Sequence, residues 1–206
     1  MQLARPYYTI IKGVMHMELY IARHGQTEYN AARRMQGSDS DSPLTAIGLE
    51  QAKYLGKTIQ NMTFDAVYAS PLKRAMDTTR IAFNDEALFE KGALTDCRLV
   101  EIGLGEAAGL TWDAANLNFM TSPEAYIPPP GGEELETMIS RVDSFLQDLA
   151  QKPYKKVFVL AHGYVMRVVY ACSVDKSVAA IGKSPVFDNC ELARYVYDGL
   201  KWNLAD

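Results

Sequence analysis

Short apolar runs divide the chain at intervals and are typical of buried β-strands. Each run is only four to eight residues long and is followed by glycine, proline or polar residues, as strands that end in turns require. The predicted strands are residues 18–23, 65–69, 156–161 and 191–197. We interpret the fourth as the last strand of the chain, closed by a turn at Asp198 and Gly199.

Between these runs the apolar residues recur at the spacing of an amphipathic helix. One helix is predicted over residues 45–62, one from Pro71 through Ile81, and one directly after Gly131 and Gly132. The apolar face of the first contains Leu49, Ala52, Leu55 and Ile59, and that of the third contains Leu135, Met138, Val142, Phe145 and Leu149.

Strands that alternate with helices predict an α/β fold, namely a three-layer α/β/α sandwich with a mainly parallel sheet. The length of 206 residues suits one domain, which we expect over residues 18–206. Residues 103–130 are rich in Ala, Asn, Ser and Pro, and we interpret them as a small cap insertion over the site. Residues 1–17 are expected to be a leader or extension, because Met17 directly precedes the first strand.

Composition excludes several classes of partner. The net charge of −4 argues against binding of nucleic acid or an anionic membrane through bulk charge, and no apolar run approaches the roughly 20 residues that span a bilayer. The three cysteines, Cys97, Cys172 and Cys190, are odd in number and form no CxxC pair. We therefore expect a cytoplasmic protein without a zinc site or a disulfide framework, and the sequence specifies no oligomeric state.

Two of the three histidines stand in the same local context. His24 and His162 each follow a predicted strand directly and precede a glycine. Because the carboxyl ends of parallel strands form the ligand-binding edge of an open sheet, both positions are candidate site residues. A single histidine there would more often be structural, but two in matching contexts favour a functional pair.

Several blocks of sequence around these histidines occur in a fixed order. Residues 20–30 read YIARHGQTEYN, an R-H-G-x-T-x-x-N arrangement. The further blocks are RMQG at 34–37, SPLT at 42–45, SPLKRA at 70–75, GGE at 131–133 and AHG at 161–163. In these motifs the chain resembles the histidine phosphatase superfamily, the phosphoglycerate mutase-like proteins.

The resemblance implies phosphoryl transfer through a covalent phosphohistidine. His24 would be the nucleophile and would attack phosphorus through a neutral ring nitrogen. Arg23 and Arg74 would hold the phosphate with their planar guanidinium groups, and His162, if protonated, would add another donor. Glu101 matches the acid that protonates the leaving oxygen.

Other positions are implied with alternatives left open. Asn30, Gln36, Gly37 and Gly163 match residues that contact the phosphate, although Asn30 could equally cap or bridge its loop. The segment after Glu101 departs from the family pattern: it has small residues that suggest a roomier pocket, and it contains Glu106, the second choice for the acid.

No motif calls for a metal or a nucleotide cofactor, and we expect none. Asp39 and Asp41 are interpreted as solvated turn residues. Residues 103–130 contain no Lys or Arg but do contain Glu106, Asp113 and Glu124, which would repel a substrate with a carboxylate. The main prediction is therefore a metal-independent phosphatase acting on small-molecule phosphate monoesters. The alternatives are a phosphoglycerate mutase-type enzyme and, less favoured, a non-catalytic phosphate-binding module.

Overall fold

The structure is a computed structural model that describes residues 16–115, 117 and 121–205. The expected leader falls almost entirely outside the described residues. The strands are β1 (Met17–Arg23), β2 (Ala66–Ala69), β3 (Leu94–Thr95), β4 (Lys156–Ala161), β5 (Leu192–Tyr197) and β6 (Trp202–Ala205). The α-helices are α1 (Glu28–Ala31), α2 (Ala46–Ile59), α3 (Lys73–Phe83), α4 (Trp112–Ala115), α5 (Leu135–Ala150), α6 (Gly163–Val174) and α7 (Val178–Gly182).

The strands form one sheet in the order β3-β2-β4-β1-β5-β6. The first four are mutually parallel, whereas β5 pairs antiparallel with β1 and β6 pairs antiparallel with β5. The prediction that the fourth run is the last strand is wrong, because the turn at Asp198 and Gly199 returns the chain into β6. A two-residue strand such as β3 is too short to leave an apolar run in the sequence.

Alternating residues of the central strands face two separate apolar cores. Leu19 of β1 and Val159 of β4 face the core built by α5 and α6, whereas Ala22 and Leu160 face the core built by α2 and α3. This alternation is the two-residue period of a strand covered on both faces. The predicted α/β fold with three layers is confirmed.

Two helices differ in detail from the predicted ones. The buried face of α2 consists of Gly48, Ala52, Leu55 and Ile59, so the predicted inclusion of Leu49 is wrong and its side chain is 40% exposed. Gly48 packs directly against the backbone of Gln26. A Cβ at this position would lie 2.1 Å from the Gln26 carbonyl oxygen, so the helix has a glycine here. Helix α3 begins at Lys73 rather than at Pro71, with extended backbone at Leu72.

The described part of residues 103–130 contains only short elements: α4 and two 3₁₀ helices, Gly105–Ala107 and Pro123–Ala125. Backbone hydrogen bonds join this segment to the loop after α1, for instance from the Met35 amide to the Leu110 carbonyl at 2.8 Å. No helix among the described residues is long and apolar enough to cross a membrane.

Candidate active site

The ends of three adjacent parallel strands bring together the two histidines and a serine. His24 follows β1, Ser70 follows β2 and His162 follows β4, the strand between them. The ladder continues one step past the strands, since the His24 amide donates to the Ala161 carbonyl at 3.0 Å. The two imidazole rings lie edge to face, with centroids 5.2 Å apart. The sheet thus places side chains that are far apart in sequence at one point.

The His24 ring is held in one orientation by hydrogen bonds at both of its nitrogens. Its Nδ1 lies 2.8 Å from the carbonyl oxygen of Gly25, which can only accept, so Nδ1 carries the proton and Nε2 has a lone pair. Burial, strengthened by the charges of Arg74 and Arg23, lowers the pKa of His24 well below its usual 6.5. The side chain is therefore a neutral imidazole whose Nε2 is available as a nucleophile.

Arg74, which is 1% exposed, lies beside that nitrogen and anchors the loop after α1. Its Nε donates to Nε2 of His24 at 3.3 Å. Its Nη2 donates to the Gly37 carbonyl at 2.7 Å, and its Nη1 forms a 3.0 Å ion pair with Asp41. The guanidinium is therefore fixed by the protein on one side and faces the nucleophile on the other.

Two buried nitrogens near the histidine pair have no hydrogen-bond partner among the described residues. They are Nε of Arg23 and Nδ1 of His162. Arg23 donates through Nη1 to the Phe187 carbonyl at 2.8 Å, and Nε2 of His162 lies 2.7 Å from the Ser70 hydroxyl. Buried polar groups are rarely left unsatisfied, so these two nitrogens are consistent with an acceptor ligand such as an oxyanion.

His162 is neutral in the free site, whereas a protonated His162 was considered in the sequence analysis. Burial, with smaller contributions from Arg74, His24 and Arg23, lowers the pKa of His162 well below its usual 6.5. In the free site the ring is neutral, because two guanidinium groups and full burial disfavour a third positive charge. A bound dianion would raise the pKa of His162, because a nearby negative charge favours the protonated ring.

Asn30, Gln36, Gly37 and Gly163 line the cavity and also stabilise the surrounding fold. Asn30 accepts from the Thr27 amide at 3.2 Å in a capping box at α1, which is the capping role weighed for it above. The Gln36 amide group donates to Thr27 Oγ1 at 2.7 Å. Gly37 has a positive φ of 61°, and a Cβ there would meet the Ile102 carbonyl oxygen at 2.7 Å. Gly163 is the first residue of α6 and packs against the Arg23 side chain.

Asp39 and Asp41 are both exposed, as interpreted from the sequence, and Asp39 lies in a turn. Their carboxylates nevertheless have fixed partners. Asp41 accepts from Nη1 of Arg74, and its Oδ2 accepts from the Arg74 amide at 3.4 Å at the start of α3. Oδ2 of Asp39 accepts from the Leu104 amide at 2.6 Å, which ties the cap segment to the loop after α1. Both carboxylates bind partners distant in sequence.

Glu101 lines the cavity and is held from two sides. Its Oε1 accepts from the Ile102 amide at 3.0 Å, and its Oε2 accepts from the Tyr164 amide at the start of α6 at 3.2 Å. Its backbone is fixed by Arg141, whose Nη1 donates to the Val100 carbonyl at 2.8 Å and whose guanidinium pairs with Glu133. Glu106 is exposed and does not line the cavity.

A cavity of about 350 Å³ is lined by Arg23, His24, Asn30, Gln36, Gly37, Arg74, Glu101 and Gly163, among others. His162 is fully buried and is not among the residues that line it. The charge argument drawn from residues 103–130 is not supported there, since Glu106, Asp113 and Glu124 are all exposed and none lines the cavity. Two arginines from outside that segment do line it, Arg34 and Arg167. Repulsion of a carboxylate by the cap therefore does not operate inside the cavity.

Sequence reasoning missed two residues that organise the site. The Nδ2 group of Asn189 donates to the His24 carbonyl at 2.9 Å across 165 positions of sequence. Thr78 accepts from the Gly25 amide at 3.1 Å and donates to the Arg74 carbonyl at 2.7 Å, which joins the histidine loop to α3. The position of Thr78 one turn after Arg74 was a signal for its role, whereas nothing in the sequence indicated Asn189.

Among the described residues, no group of three His, Cys, Asp or Glu side chains is arranged to hold a metal ion. The residues gathered at the strand ends are instead a neutral imidazole, two guanidinium groups and a second histidine. These groups define a pocket for a phosphate-like oxyanion next to a nucleophilic nitrogen.

Comparison with known proteins places the chain in a superfamily that agrees with such a pocket. The model of the histidine phosphatase superfamily (branch 1) matches residues 19–206, and the chain belongs to that superfamily. The chain is 32% identical to a putative phosphoserine phosphatase 2 of Hydrogenobacter thermophilus over 73% of its length and 75% of that protein. It is 30% identical to phosphoglycerate mutase-like protein 4 of Arabidopsis thaliana over 93% of its length and 84% of that protein.

Solved structures show the same fold. Bacillus stearothermophilus YhfR superposes with a TM-score of 0.80 at 29% identity and covers 92% of this chain and 95% of its own. A mycobacterial glucosyl-3-phosphoglycerate phosphatase, solved as a complex with VO3, superposes with a TM-score of 0.79 at 25% identity and covers 92% and 97%.

Proposed function

We propose that this protein is a metal-independent phosphatase that hydrolyses small-molecule phosphate monoesters through a phosphohistidine at His24. The observation that carries the proposal is the state of His24: Nδ1 is bonded to the Gly25 carbonyl, and burial keeps the ring neutral with Nε2 beside Arg74. A phosphate-binding module would have no use for a nucleophile and a carboxyl group that line the same cavity. The catalytic unit in this proposal is residues 18–206, with 103–130 as its cap.

The reaction proceeds in two displacements. In the first, Nε2 of His24 bonds to phosphorus while the ester P–O bond breaks, and the Glu101 carboxyl gives its proton to the leaving oxygen. Arg23, Arg74 and His162 stabilise the charge on the transferring phosphoryl oxygens. In the second, the Glu101 carboxylate takes a proton from water, the water oxygen bonds to phosphorus, and the P–N bond breaks to release phosphate.

The names of relatives support hydrolysis. Those relatives include a putative phosphoserine phosphatase and a glucosyl-3-phosphoglycerate phosphatase, and their small phosphorylated substrates suit a cavity of this size.

Mutase-type phosphoryl transfer is the second candidate, because Arg34 and Arg167 line the cavity and could attract a second anionic group. Interconversion of 2- and 3-phosphoglycerate, primed by 2,3-bisphosphoglycerate, at a rate above hydrolysis would establish this alternative.

The purified protein is expected to hydrolyse p-nitrophenyl phosphate and to keep its full rate after exhaustive treatment with EDTA. The reason is that the proposed nucleophile and charge donors are all side chains. Released phosphate is the measurement. Phosphate binding without turnover would mean that the protein is a non-catalytic phosphate-binding module. Reactivation by added Mg²⁺ or Zn²⁺ after EDTA would reject the metal-free mechanism.

Glu101→Gln is expected to slow phosphoenzyme formation from an alkyl phosphate by about 10²- to 10⁴-fold, the usual contribution of a general acid. The loss with p-nitrophenyl phosphate should be much smaller, because nitrophenolate leaves without a proton. Burst or single-turnover rates on both substrates make the comparison.

Glu106→Gln is the matched control, since Glu106 lies outside the cavity and should change neither rate. Equal burst losses on the two substrates in Glu101→Gln would remove Glu101 from the acid role.

The cytoplasmic location is part of the same proposal. The thiol of Cys97 is exposed and forms no disulfide. An exposed free thiol of this kind suits a reducing compartment.

A further inference from the structure

The lining of the active-site cavity contains two chemically different groups of residues. The polar group includes His24, the guanidinium groups of Arg23 and Arg74, and the amide of Gln36. Seven lining residues are apolar: six of them, which we call the apolar wall, are Met35, Leu104, Trp112, Leu117, Val186 and Phe187, and the seventh is the buried Ile102. From this division we infer that the preferred substrates are phosphate monoesters of apolar alcohols, with an alkyl chain or an aromatic ring bound against these six residues. This inference rests on the proposed phosphatase function and adds the substrate class to it.

The apolar wall is built by segments distant in sequence, and hydrogen bonds hold it in place. Oδ2 of Asp39 binds the Leu104 amide at 2.6 Å. The Trp112 amide donates to the Arg33 carbonyl at 2.9 Å, and the Arg33 guanidinium lies 5.1 Å from the centre of the indole ring. A wall held in this way is formed before the substrate binds, which reduces the entropy lost on binding.

Part of this wall is exposed in the free protein. Trp112 is 47% exposed and Val186 is 68% exposed, although both line the cavity. Covering apolar surface of this kind with the apolar part of a ligand is favourable because it removes that surface from water. The exposed area is thus available to contribute to substrate binding.

A hydrogen bond joins the apolar wall directly to one of the arginines proposed to bind the phosphate. The Phe187 carbonyl accepts from Nη1 of Arg23 at 2.8 Å, so the backbone of the wall fixes the guanidinium that faces the phosphate. A substrate whose apolar part packs on Phe187 would therefore place its phosphate beside Arg23.

Arg34 and Arg167, which also line the cavity, both donate to protein carbonyls. Nη1 of Arg34 donates to the Gly109 carbonyl at 2.8 Å, and Nη2 of Arg167 donates to the Ile181 carbonyl at 3.0 Å, at the end of α7. The Arg167 guanidinium also lies over the Tyr164 ring at 5.4 Å. These contacts join the cap and α7 to the rest of the domain, and they give both arginines a structural purpose that requires no anionic ligand.

A polyol would fit such a wall poorly. Each hydroxyl of a sugar that faced Leu104, Leu117 or Phe187 would lose its hydrogen bonds to water without replacement, which is unfavourable. A methylene group at the same place gains from burial. The wall thus discriminates against sugar phosphates and in favour of alkyl and aryl phosphates.

The test uses a series of n-alkyl phosphates from methyl to hexyl, which share nearly the same leaving-group chemistry. We expect kcat/KM to rise by about two- to fourfold per methylene until the cavity is filled. A flat or falling series, or a higher kcat/KM for glucose 6-phosphate or 3-phosphoglycerate than for hexyl phosphate, would overturn the inference.

Variants assign the effect to the wall. Trp112→Ala should reduce the gain per methylene, whereas Leu110→Ala should keep it, since Leu110 is a similarly exposed apolar residue of the same segment that does not line the cavity. An equal gain in both variants would count against the wall.

Binding of the unreactive n-alkylphosphonates, measured by calorimetry on the unaltered protein, separates this inference from the proposed function. If no ester is hydrolysed but the dissociation constant still falls two- to fourfold per methylene, the phosphatase proposal fails and the apolar subsite stands. If esters are hydrolysed and the phosphonates show no trend, the subsite fails and the phosphatase stands.

Discussion

His24→Ala is expected to lower turnover by at least about 10⁴-fold, the scale of loss seen when a covalent nucleophile is removed. Among the described residues of the site, only the His24 imidazole combines a proton on Nδ1 with a lone pair on Nε2 beside Arg74. The fold should survive, because the substitution removes side-chain contacts with Gly25, Arg74 and His162 but leaves the backbone hydrogen bonds of His24 with Ala161 and Asn189. Steady-state rates and thermal unfolding measure the two effects.

Trapping of the intermediate identifies the atom that is phosphorylated. Rapid quench of the unaltered protein should yield protein-bound phosphate that is labile in acid and stable in base, as expected for a phosphohistidine. His16→Ala, which removes the exposed third histidine, should retain that phosphate, and His24→Ala should lack it. Phosphate that persisted on His24→Ala would place the nucleophile elsewhere, with His162 as the first alternative.

The lowered pKa of His24 adds a pH dependence to this prediction. Burial, Arg74 and Arg23 keep the ring neutral below its usual pKa of 6.5. Protonation would block Nε2, so titration of His24 should cause no loss of phosphoenzyme formation as the pH is lowered through 6.5. Because the second pKa of a phosphate ester is about 6, the rates are compared at equal concentrations of the ester dianion. A decline centred near 6.5 that persists in this comparison would mean that His24 titrates like an exposed histidine.

Arg74→Ala is expected to lower kcat/KM by about 10²- to 10³-fold, the usual loss when a donor that stabilises transition-state charge is deleted. The guanidinium is buried, lies 3.3 Å from Nε2 of His24 and also anchors Gly37 and Asp41. Because the anchoring role could affect stability, Arg74→Lys is the second variant: it keeps the charge but loses the planar fork. Both should also weaken inhibition by vanadate.

Arg80→Ala is the matched control on the same helix, since Arg80 pairs with Asp77 and does not line the active-site cavity. It should retain nearly full activity. Combining Arg74→Ala with His162→Ala should cost less than the sum of the single losses in free energy, because both side chains act on the same phosphoryl group. Strict additivity, or an Arg74→Lys enzyme with unaltered kcat/KM, would contradict a shared phosphate clamp.

The sequence was informative where the structural signal is local. Apolar runs located β1, β2, β4 and β5, because a buried strand is a short, largely apolar run. Helical spacing located α2 and α5, because a helix buried on one face repeats its apolar residues with the period of the helix. The positions of His24 and His162 before glycine at strand ends were visible for the same reason. The short β3 and the returning strand β6 were missed, since they contain too few apolar residues to define a period.

Contacts between distant segments, and the electrostatics that follow from them, were not accessible in this way. Asp41 was interpreted only as a solvated turn residue, yet its carboxylate meets Arg74 once α3 packs beside its loop. The neutral state of His24 and of His162 depends on burial and on two nearby guanidinium groups, which the order of residues does not specify. The chemical nature of the substrate wall was likewise hidden, because Leu104, Trp112 and Phe187 come from segments that meet only in the folded domain. The periodicity of apolar residues indicates which face of a helix or strand is buried, but it does not indicate which segment packs against that face. For this protein the first kind of information predicts the fold, whereas the second is needed to define the active site.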